Sequence, residues 1–490
     1  MVDPFVSEAI FFVDRETPGR LQAQIRETLV SAILSGRVVP GSRLPSTRRL
    51  AHYLNVSRIT VTLAYQELAS QGYIEAQGRS VYRVSDGSDV LIPDDVDAVS
   101  PTEGIDWAQR LNGRFSIAKR IRKPLDWRRY PYPFLYGQMD TSLFDLAAWR
   151  DCSRRALSKG DFEMMAGDFA AADDMQLVSY ICSRTLPRRG IKAQPEEILV
   201  TVGAQNALWI AIQLLLGRGS HAVCENPGHP DIYASLQLSQ AHVTAIDVDD
   251  AGLAPEKLPE QVDAVFVTPS HQSPTAARMP MERRKRLLAE ADRKDFVIVE
   301  DDYEFEMSFL APPAPALKSL DRSNRVFYIG SFSKSLFPGL RLGYLVAPAP
   351  VIREARALRA LMLRHPSGHL QRTTAFFLAL GHYDAVIRRM REEYARRHRI
   401  MNAALVREGL HIAGTSSFGG SSFWIEGPEH MDSNQLAVDL RNDGVLIEPG
   451  APFFAQTDQP CRYFRIAYSS TPADRIDEGI SRIAARIRSY

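Results

Sequence analysis

The sequence predicts a multidomain chain: a small α+β domain at the N-terminus, then a large α/β domain with a mostly parallel sheet. Three observations predict it. The 490 residues are too many for one ordinary domain and suggest two or three. Before about residue 85, apolar residues at helical spacing give way to a short hairpin pattern. From Ile198 onward, short apolar, β-branched runs alternate with helical stretches. The expected division is a first domain over 1–85, a linker over 86–133 and a second domain over 134–490.

In the first domain, Ile25, Leu29 and Ile33 mark one helix face, and Gly36 and Pro40-Gly41 stop that helix. Ser46 is placed to cap a second helix carrying Leu50, Ala51 and Leu54. After a turn at Asn55-Val56, Ser57 caps a third helix with Val61, Ala64, Tyr65 and Leu68 on one side, and Gly72 ends it. Two strands, Tyr73–Ala76 and Val81–Val84, flank a turn at Gln77-Gly78-Arg79. Two helices joined by a tight turn and followed by a hairpin make a winged helix-turn-helix. The third helix of that motif enters the DNA major groove with its N-terminal residues near base edges. Ser57, Arg58 and Thr60 stand there, and Arg79 on the wing can reach the backbone or minor groove.

Charge supports this reading. The whole chain carries only +1, yet Arg15 to Ser85 hold ten arginines, no lysine and four acids. Arginine concentrated in so short a segment is the footprint of phosphate contacts, although a solvated basic face has the same composition. The four cysteines are scattered with no CxxC pair, which argues against a zinc ribbon or a disulfide frame and for a reduced, cytoplasmic setting. No apolar run is long enough to span a bilayer, and the N-terminus lacks the layout of a signal peptide.

The first domain resembles the GntR family of DNA-binding domains over roughly residues 20–84. The matching stretches are Leu44-Pro45-Ser46-Thr47-Arg48-Arg49-Leu50-Ala51, Asn55-Val56-Ser57-Arg58-Ile59-Thr60-Val61, Tyr65-Gln66-Glu67-Leu68 and Gly72-Tyr73-Ile74. The resemblance implies DNA contacts by Arg48 and Arg58. The wing departs from the usual Gly-Ser-Gly and reads Gly78-Arg79-Ser80.

In the second domain the expected strands are Ile198–Thr201, His221–Cys224, Val243–Ile246, Ala264–Thr268, Phe296–Val299 and Val326–Ile329. Ligands of such sheets sit beyond the carboxyl ends of the strands. After the first strand, Val202-Gly203-Ala204-Gln205 opens a helix whose exposed N–H groups suit a phosphate. After the fifth comes Glu300-Asp301-Asp302-Tyr303-Glu304. That block reads as a metal site, a solvated loop, or one buried carboxylate beside a ring nitrogen. After the sixth comes Gly330-Ser331-Phe332-Ser333-Lys334-Ser335-Leu336-Phe337-Pro338-Gly339-Leu340-Arg341-Leu342-Gly343. Lys334 is either a loop lysine on the surface or a desolvated amine able to form a Schiff base with an aldehyde. Ser331, Ser333 and Arg341 supply phosphate donors, and this company favours the buried carboxylate among the three readings of the acidic block.

From about Asp140 onward the chain resembles fold-type I, pyridoxal phosphate (PLP)-dependent aminotransferases, and the two-part layout resembles the MocR group of GntR-type regulators. The marks are Thr268-Pro269-Ser270-His271-Gln272-Ser273-Pro274-Thr275, the Glu-Asp-Asp-Tyr block and the segment around Lys334. The resemblance implies that Lys334 holds PLP, that Asp301 pairs with the pyridinium nitrogen, and that Tyr303 bonds the ring hydroxyl. It implies a phosphate site at Ala204, Gln205, Ser331, Ser333 and Arg341, with His229 at the ring-stacking position usually held by tyrosine. Arg465 matches the arginine that clamps a substrate carboxylate, although a strand-end arginine paired with a structural acid would read the same. The function implied is a transcription regulator that binds a double-stranded DNA operator as a homodimer. It would sense a small amino acid or amine when that molecule forms an external aldimine with PLP. The alternative is a working aminotransferase with a DNA-binding appendage.

Overall fold

The computed structural model describes residues 4–14, 21–78, 81–85, 105–111, 115, 121, 123–168, 170–415, 418–456 and 460–490. The chain forms two compact units, Met1–Asn112 and Gly113–Tyr490. The expected linker residues 86–104 lie outside the described residues, whereas 123–133 belong to the second unit.

In the first unit, helix α1 (Leu21–Leu34) buries Ile25, Leu29 and Ala32. Helix α2 (Thr47–Leu54) begins where the Ser46 hydroxyl accepts the Arg49 N–H at 3.3 Å, and it ends at Asn55, which takes the left-handed conformation that asparagine tolerates. Helix α3 (Arg58–Ser70) starts with the same chemistry, Ser57 accepting the Thr60 N–H at 3.1 Å. Its buried side, Val61, Ala64, Tyr65 and Leu68, packs against α1 and α2. The Tyr65 hydroxyl donates to the Pro45 carbonyl at 3.0 Å, tying α3 to the entry of α2. Strands β1 (Ile74–Gln77) and β2 (Val81–Val84) pair antiparallel with Ile74 opposite Val84. The expected turn residue Arg79 lies outside the described residues.

The strands of the second unit are β3 (Tyr132–Pro133), β4 (Ile198–Thr201), β5 (His221–Asn226), β6 (His242–Asp247), β7 (Ala264–Val267), β8 (Val297–Asp301), β9 (Val326–Ser331), β10 (Gly343–Val346), β11 (His411–Ile412), β12 (Ser422–Glu426), β13 (Val445–Leu446), β14 (Glu448–Pro449) and β15 (Tyr463–Ala467). Seven form one sheet in the order β4-β10-β9-β8-β7-β5-β6. All neighbours in it are parallel except at β10, which runs antiparallel to both β4 and β9. Six of the seven coincide in place with the expected strands. The extra one, β10, is short and follows directly on the segment around Lys334, so no helical stretch announces it.

The antiparallel direction of β10 has a consequence for the site. Its first residue, Gly343, pairs with Ser331 at the end of β9 and with Thr201 at the end of β4. Arg341, just before it, is thereby delivered to the carboxyl edge of the sheet. A Cβ at Gly343 would stand 3.0 Å or less from backbone atoms of Gly330, Gly203 and Ala204, so only glycine lets the three segments meet.

A second sheet, β11-β12-β15-β14, is antiparallel throughout. A parallel bridge, β3 with β13, pins the start of this unit to its C-terminal part. Among the described residues no helix is long and apolar enough to cross a membrane.

Candidate functional site

The carboxyl ends of β4, β8 and β9 gather most of the residues singled out for a cofactor. At β4 the turn passes through Gly203, at φ +75°, into a helix (Gly203–Leu215) that holds Ala204 and Gln205 in its first turn. A Cβ on Gly203 would stand 3.0 Å from Nη2 of Arg341, so the guanidinium lies against this turn. Arg341 itself is exposed, with Nη2 3.4 Å from the Val202 carbonyl. At β9, Ser331 and Ser333 are buried. The Ser331 hydroxyl accepts the Ser333 N–H at 3.1 Å, and the Ser333 hydroxyl has no partner among the described residues. Backbone N–H groups at a helix start, two serines and an arginine suit a phosphate dianion.

The acidic block resolves residue by residue. Glu300 accepts the N–H groups of Leu317 and Lys318, each at 2.8 Å. Asp302 pairs with Arg189 at 2.6 Å and accepts the Tyr328 hydroxyl at 2.8 Å. Glu304 accepts the Ser421 hydroxyl. Three acids therefore accept from protein donors, although Oδ1 of Asp302 has no partner among the described residues. Asp301, buried at the end of β8, keeps Oδ1 without a partner among the described residues. Burial, then the charge of Asp302, pushes its carboxyl up to about 7, while Lys334 opposes that rise. A carboxyl so placed can share a proton with a ring nitrogen, which would bring the positive charge it lacks. Burial also holds the Tyr303 hydroxyl well above its ordinary range, so it stays a donor. The Tyr303 ring meets that of Tyr136 edge-on, with centroids 6.4 Å apart.

Lys334 follows β9 by three residues. Its Nζ lies 4.1 Å from the centroid of the Tyr136 ring. Gly137, at φ +70°, is compatible with it because the amine occupies the space a Cβ would fill. Burial, then the positive charge of Lys123, pulls the amine down to about 7. Near neutral pH a large share of this amine is therefore the free base, the form that attacks an aldehyde.

His229 lies partly exposed at the N-terminus of the helix Pro230–Leu238, where Nδ1 accepts the Asp231 N–H at 3.3 Å. Loss of water contact pulls its imidazole down to about 4, against the opposing charge of Asp231. It is a neutral ring near pH 7, able to offer an aromatic face without a charge.

Arg465 sits in β15 and is buried. Its Nε donates to Oε2 of Glu448 at 2.8 Å, and its Cζ lies 4.0 Å from the Tyr136 centroid and 4.6 Å from that of Phe453. The pairing with an acid is thus present, but within the candidate site and around the same tyrosine as Lys334. Sequence reasoning missed Glu448, Tyr136 and Lys123. Glu448 left one signal, an acid closing the apolar run Val445–Ile447. Lys123, in the segment read as linker, left none.

In the first unit, Arg48 and Arg58 are exposed, and Arg58 Nε approaches the Thr47 hydroxyl at 3.4 Å. Ser57 and Thr60 spend their hydroxyls on each other at 2.8 Å as part of the cap. Arg49, beside Arg48, pairs with Glu8 and stacks over Phe5.

Residues 168–483 match the family described as aminotransferase class I and II, and residues 21–84 match bacterial regulatory proteins of the gntR family. The chain is 51% identical over 481 residues to the HTH-type transcriptional regulator TauR of Rhodobacter capsulatus, covering 98% of this chain and 99% of the relative. It is 33% identical over 402 residues to the probable rhizopine catabolism regulatory protein MocR of Rhizobium meliloti, covering 81% and 79%. Among solved structures it is similar to the kynurenine aminotransferase of Pyrococcus horikoshii in complex with PMP, with TM-score 0.67, 26% identity, and 75% of this chain and 95% of that chain covered. It is equally similar to LysN, the alpha-aminoadipate aminotransferase of Thermus thermophilus complexed with N-(5'-phosphopyridoxyl)-L-leucine, with TM-score 0.67, 26% identity, and coverage of 76% and 96%. The second unit has the fold-type I aminotransferase fold. The donor set and these likenesses together indicate pyridoxal phosphate as the cofactor.

Proposed function

We propose, from the premise that this chain belongs to the MocR-type transcriptional regulators, in which a GntR-family DNA-binding domain is joined to an aminotransferase-like domain, that it senses a small amino acid or amine through bound pyridoxal phosphate. One observation carries the reading. The amine of Lys334 and the unpartnered carboxylate oxygen of Asp301 share one buried site, in a chain whose other domain presents a capped, arginine-led helix.

Pyridoxal phosphate, when bound, supplies an aldehyde carbon on which the lysine amine can be exchanged for that of a small molecule. Lys334 provides the exchanging amine. Asp301 would hold a proton at the ring nitrogen, Tyr303 would donate to the ring hydroxyl, and His229 would offer the ring a neutral aromatic face. Ala204, Gln205, Ser331, Ser333 and Arg341 hold the phosphate. Arg465 receives an acidic group of the effector. On the DNA side, Arg48 and Arg58 reach an operator duplex, with Ser57 and Thr60 setting the start of α3 and Arg79 on the wing. A cytoplasmic homodimer suits both a paired half-site operator and this aminotransferase fold. Effector binding shifts DNA affinity only as far as it favours one conformation over another.

The test is an absorbance titration of the PLP-loaded protein with amino acids and amines. A lasting spectral shift without release of a keto acid is expected. Rapid conversion to the pyridoxamine form with accumulating keto acid would replace the sensing reading by a working aminotransferase.

A further inference from the structure

We propose that Lys123 is a second anion-binding residue of the effector site, joined to Arg465 through a shared Glu448, and that the site is built for an amine carrying one acidic group. The inference rests on the sensing reading above and adds to it the charge class of the ligand and a contact from the segment that precedes the aminotransferase-like fold.

The geometry begins with strand register. Glu448 in β14 stands directly opposite Arg465 in β15, and Glu448 is almost wholly buried. One carboxylate oxygen, Oε2, takes the Arg465 Nε at 2.8 Å, and the other, Oε1, lies 3.2 Å from the Lys123 Nζ. Lys123 also donates to the Tyr136 backbone carbonyl, next to the ring that both other cations approach. The amines of Lys123 and Lys334 both lie within 4 Å of the point a Cβ on Gly137 would occupy. The cations of Arg465 and Lys334 both lie about 4 Å from the Tyr136 centroid, at 4.0 and 4.1 Å. A ligand reaching from Lys334 to this trio is therefore short, of amino-acid size.

Charge gives the ligand class. Arg465 and Lys123 bring two positive charges to a single carboxylate, and Lys334 loses its own charge to no partner but to the cofactor. Glu304 and Asp301 also act on Lys334, and Glu304 accepts the Ser421 hydroxyl. The trio by itself carries one positive charge more than its carboxylate neutralises, with Arg465 buried and Lys123 partly exposed, an arrangement that an anion would complete. The means of completing it are present: among the described residues the two terminal nitrogens of Arg465 donate no hydrogen bond, and Nε is the atom that Glu448 uses. A carboxylate or sulfonate can take the open guanidinium edge with Lys123 beside it, and Glu448 keeps both cations in place. The ligand then touches a residue whose chain leads, in sequence, back to the DNA-binding domain.

The experiment titrates PLP-loaded full-length protein with a panel of short amino acids and with alkylamines of equal chain length, following the cofactor absorbance. The quantity read is the ratio of acid to alkylamine affinity. Native protein is expected to prefer the acids. Lys123→Met is expected to lower that ratio by about tenfold to a hundredfold, as loss of one hydrogen bond to a charged group does, and Lys123→Arg to restore most of it. The cofactor band of each variant reports a folded site. A Lys123→Met ratio equal to the native one overturns the role of Lys123. Equal native affinities for acids and alkylamines overturn the anion site. A spectrum that no amine moves overturns the sensing reading itself, a different result from either.

Discussion

Arg189 and Asp302 form a 2.6 Å ion pair in which both side chains are about 1% exposed. Asp302 adjoins Asp301, and an arginine neutralises the first but not the second, although Oδ1 of each is without a partner among the described residues. The guanidinium is anchored further by Ser270 at 2.7 Å and lies over the Phe305 ring. Removing one partner of such a pair strands the other charge away from water. Asp302→Ala is expected to lower unfolding stability by about 3–5 kcal/mol in a urea titration. Asp301→Asn is expected to cost far less stability and instead to weaken cofactor retention. Equal stability losses in the two variants would show that both carboxylates are structural.

The amine of Lys334 predicts a pH dependence. Its value is depressed to about 7, and the neutral amine is the reactive form, so reactivity is gained as pH rises through about 7 and is lost below it. Reconstitution of cofactor-free protein with pyridoxal phosphate should quicken across that range and then level off. An ordinary lysine would keep gaining toward about 10.4. Because Lys123 is the second cause of the depression, Lys123→Met should move the inflection upward. An unmoved inflection would leave burial and Arg465 as the causes.

Lys334→Ala should abolish borohydride-trappable cofactor and the response to effector, while operator binding persists. The physical ground is that the DNA-binding domain has its own core, built from α1, α2, α3 and the β1–β2 hairpin. A trappable adduct in this variant would point to Lys123, the other amine beside Gly137, as the anchor.

Arg58→Ala should weaken specific operator binding by about 1–3 kcal/mol in a footprint titration if the side chain reads a base. Arg48→Ala should weaken binding as well. Arg49→Ala should matter less, because Arg49 is already engaged by Glu8 and Phe5. An Arg49 effect as large as that of Arg48 would show that the Glu8 pair yields to phosphate.

What was legible in the sequence is what local chemistry decides. Ser46 and Ser57 cap helices because a hydroxyl two or three residues ahead of an unpaired N–H can reach it in any context. The strands of the large sheet announce themselves as apolar runs because they are buried on both faces. Gly203, Asp301 and Lys334 stand at or within a few residues of the ends of such runs, so the ends of β4, β8 and β9 already mark a site.

Tertiary structure decided which charges meet. Nothing local links Arg189 to Asp302 across 113 residues, or tells Asp301 from the acids on either side of it. The Glu448–Arg465 pair depends on the register of β14 against β15, which the packing of the whole sheet sets. Lys123 comes from a stretch whose composition reads as linker, and it enters the site only because the chain around β3 is pinned beside β13. Short-range hydrogen bonds and apolar periodicity are written along the chain, whereas the pairing of buried charges is settled by where the folded core carries them.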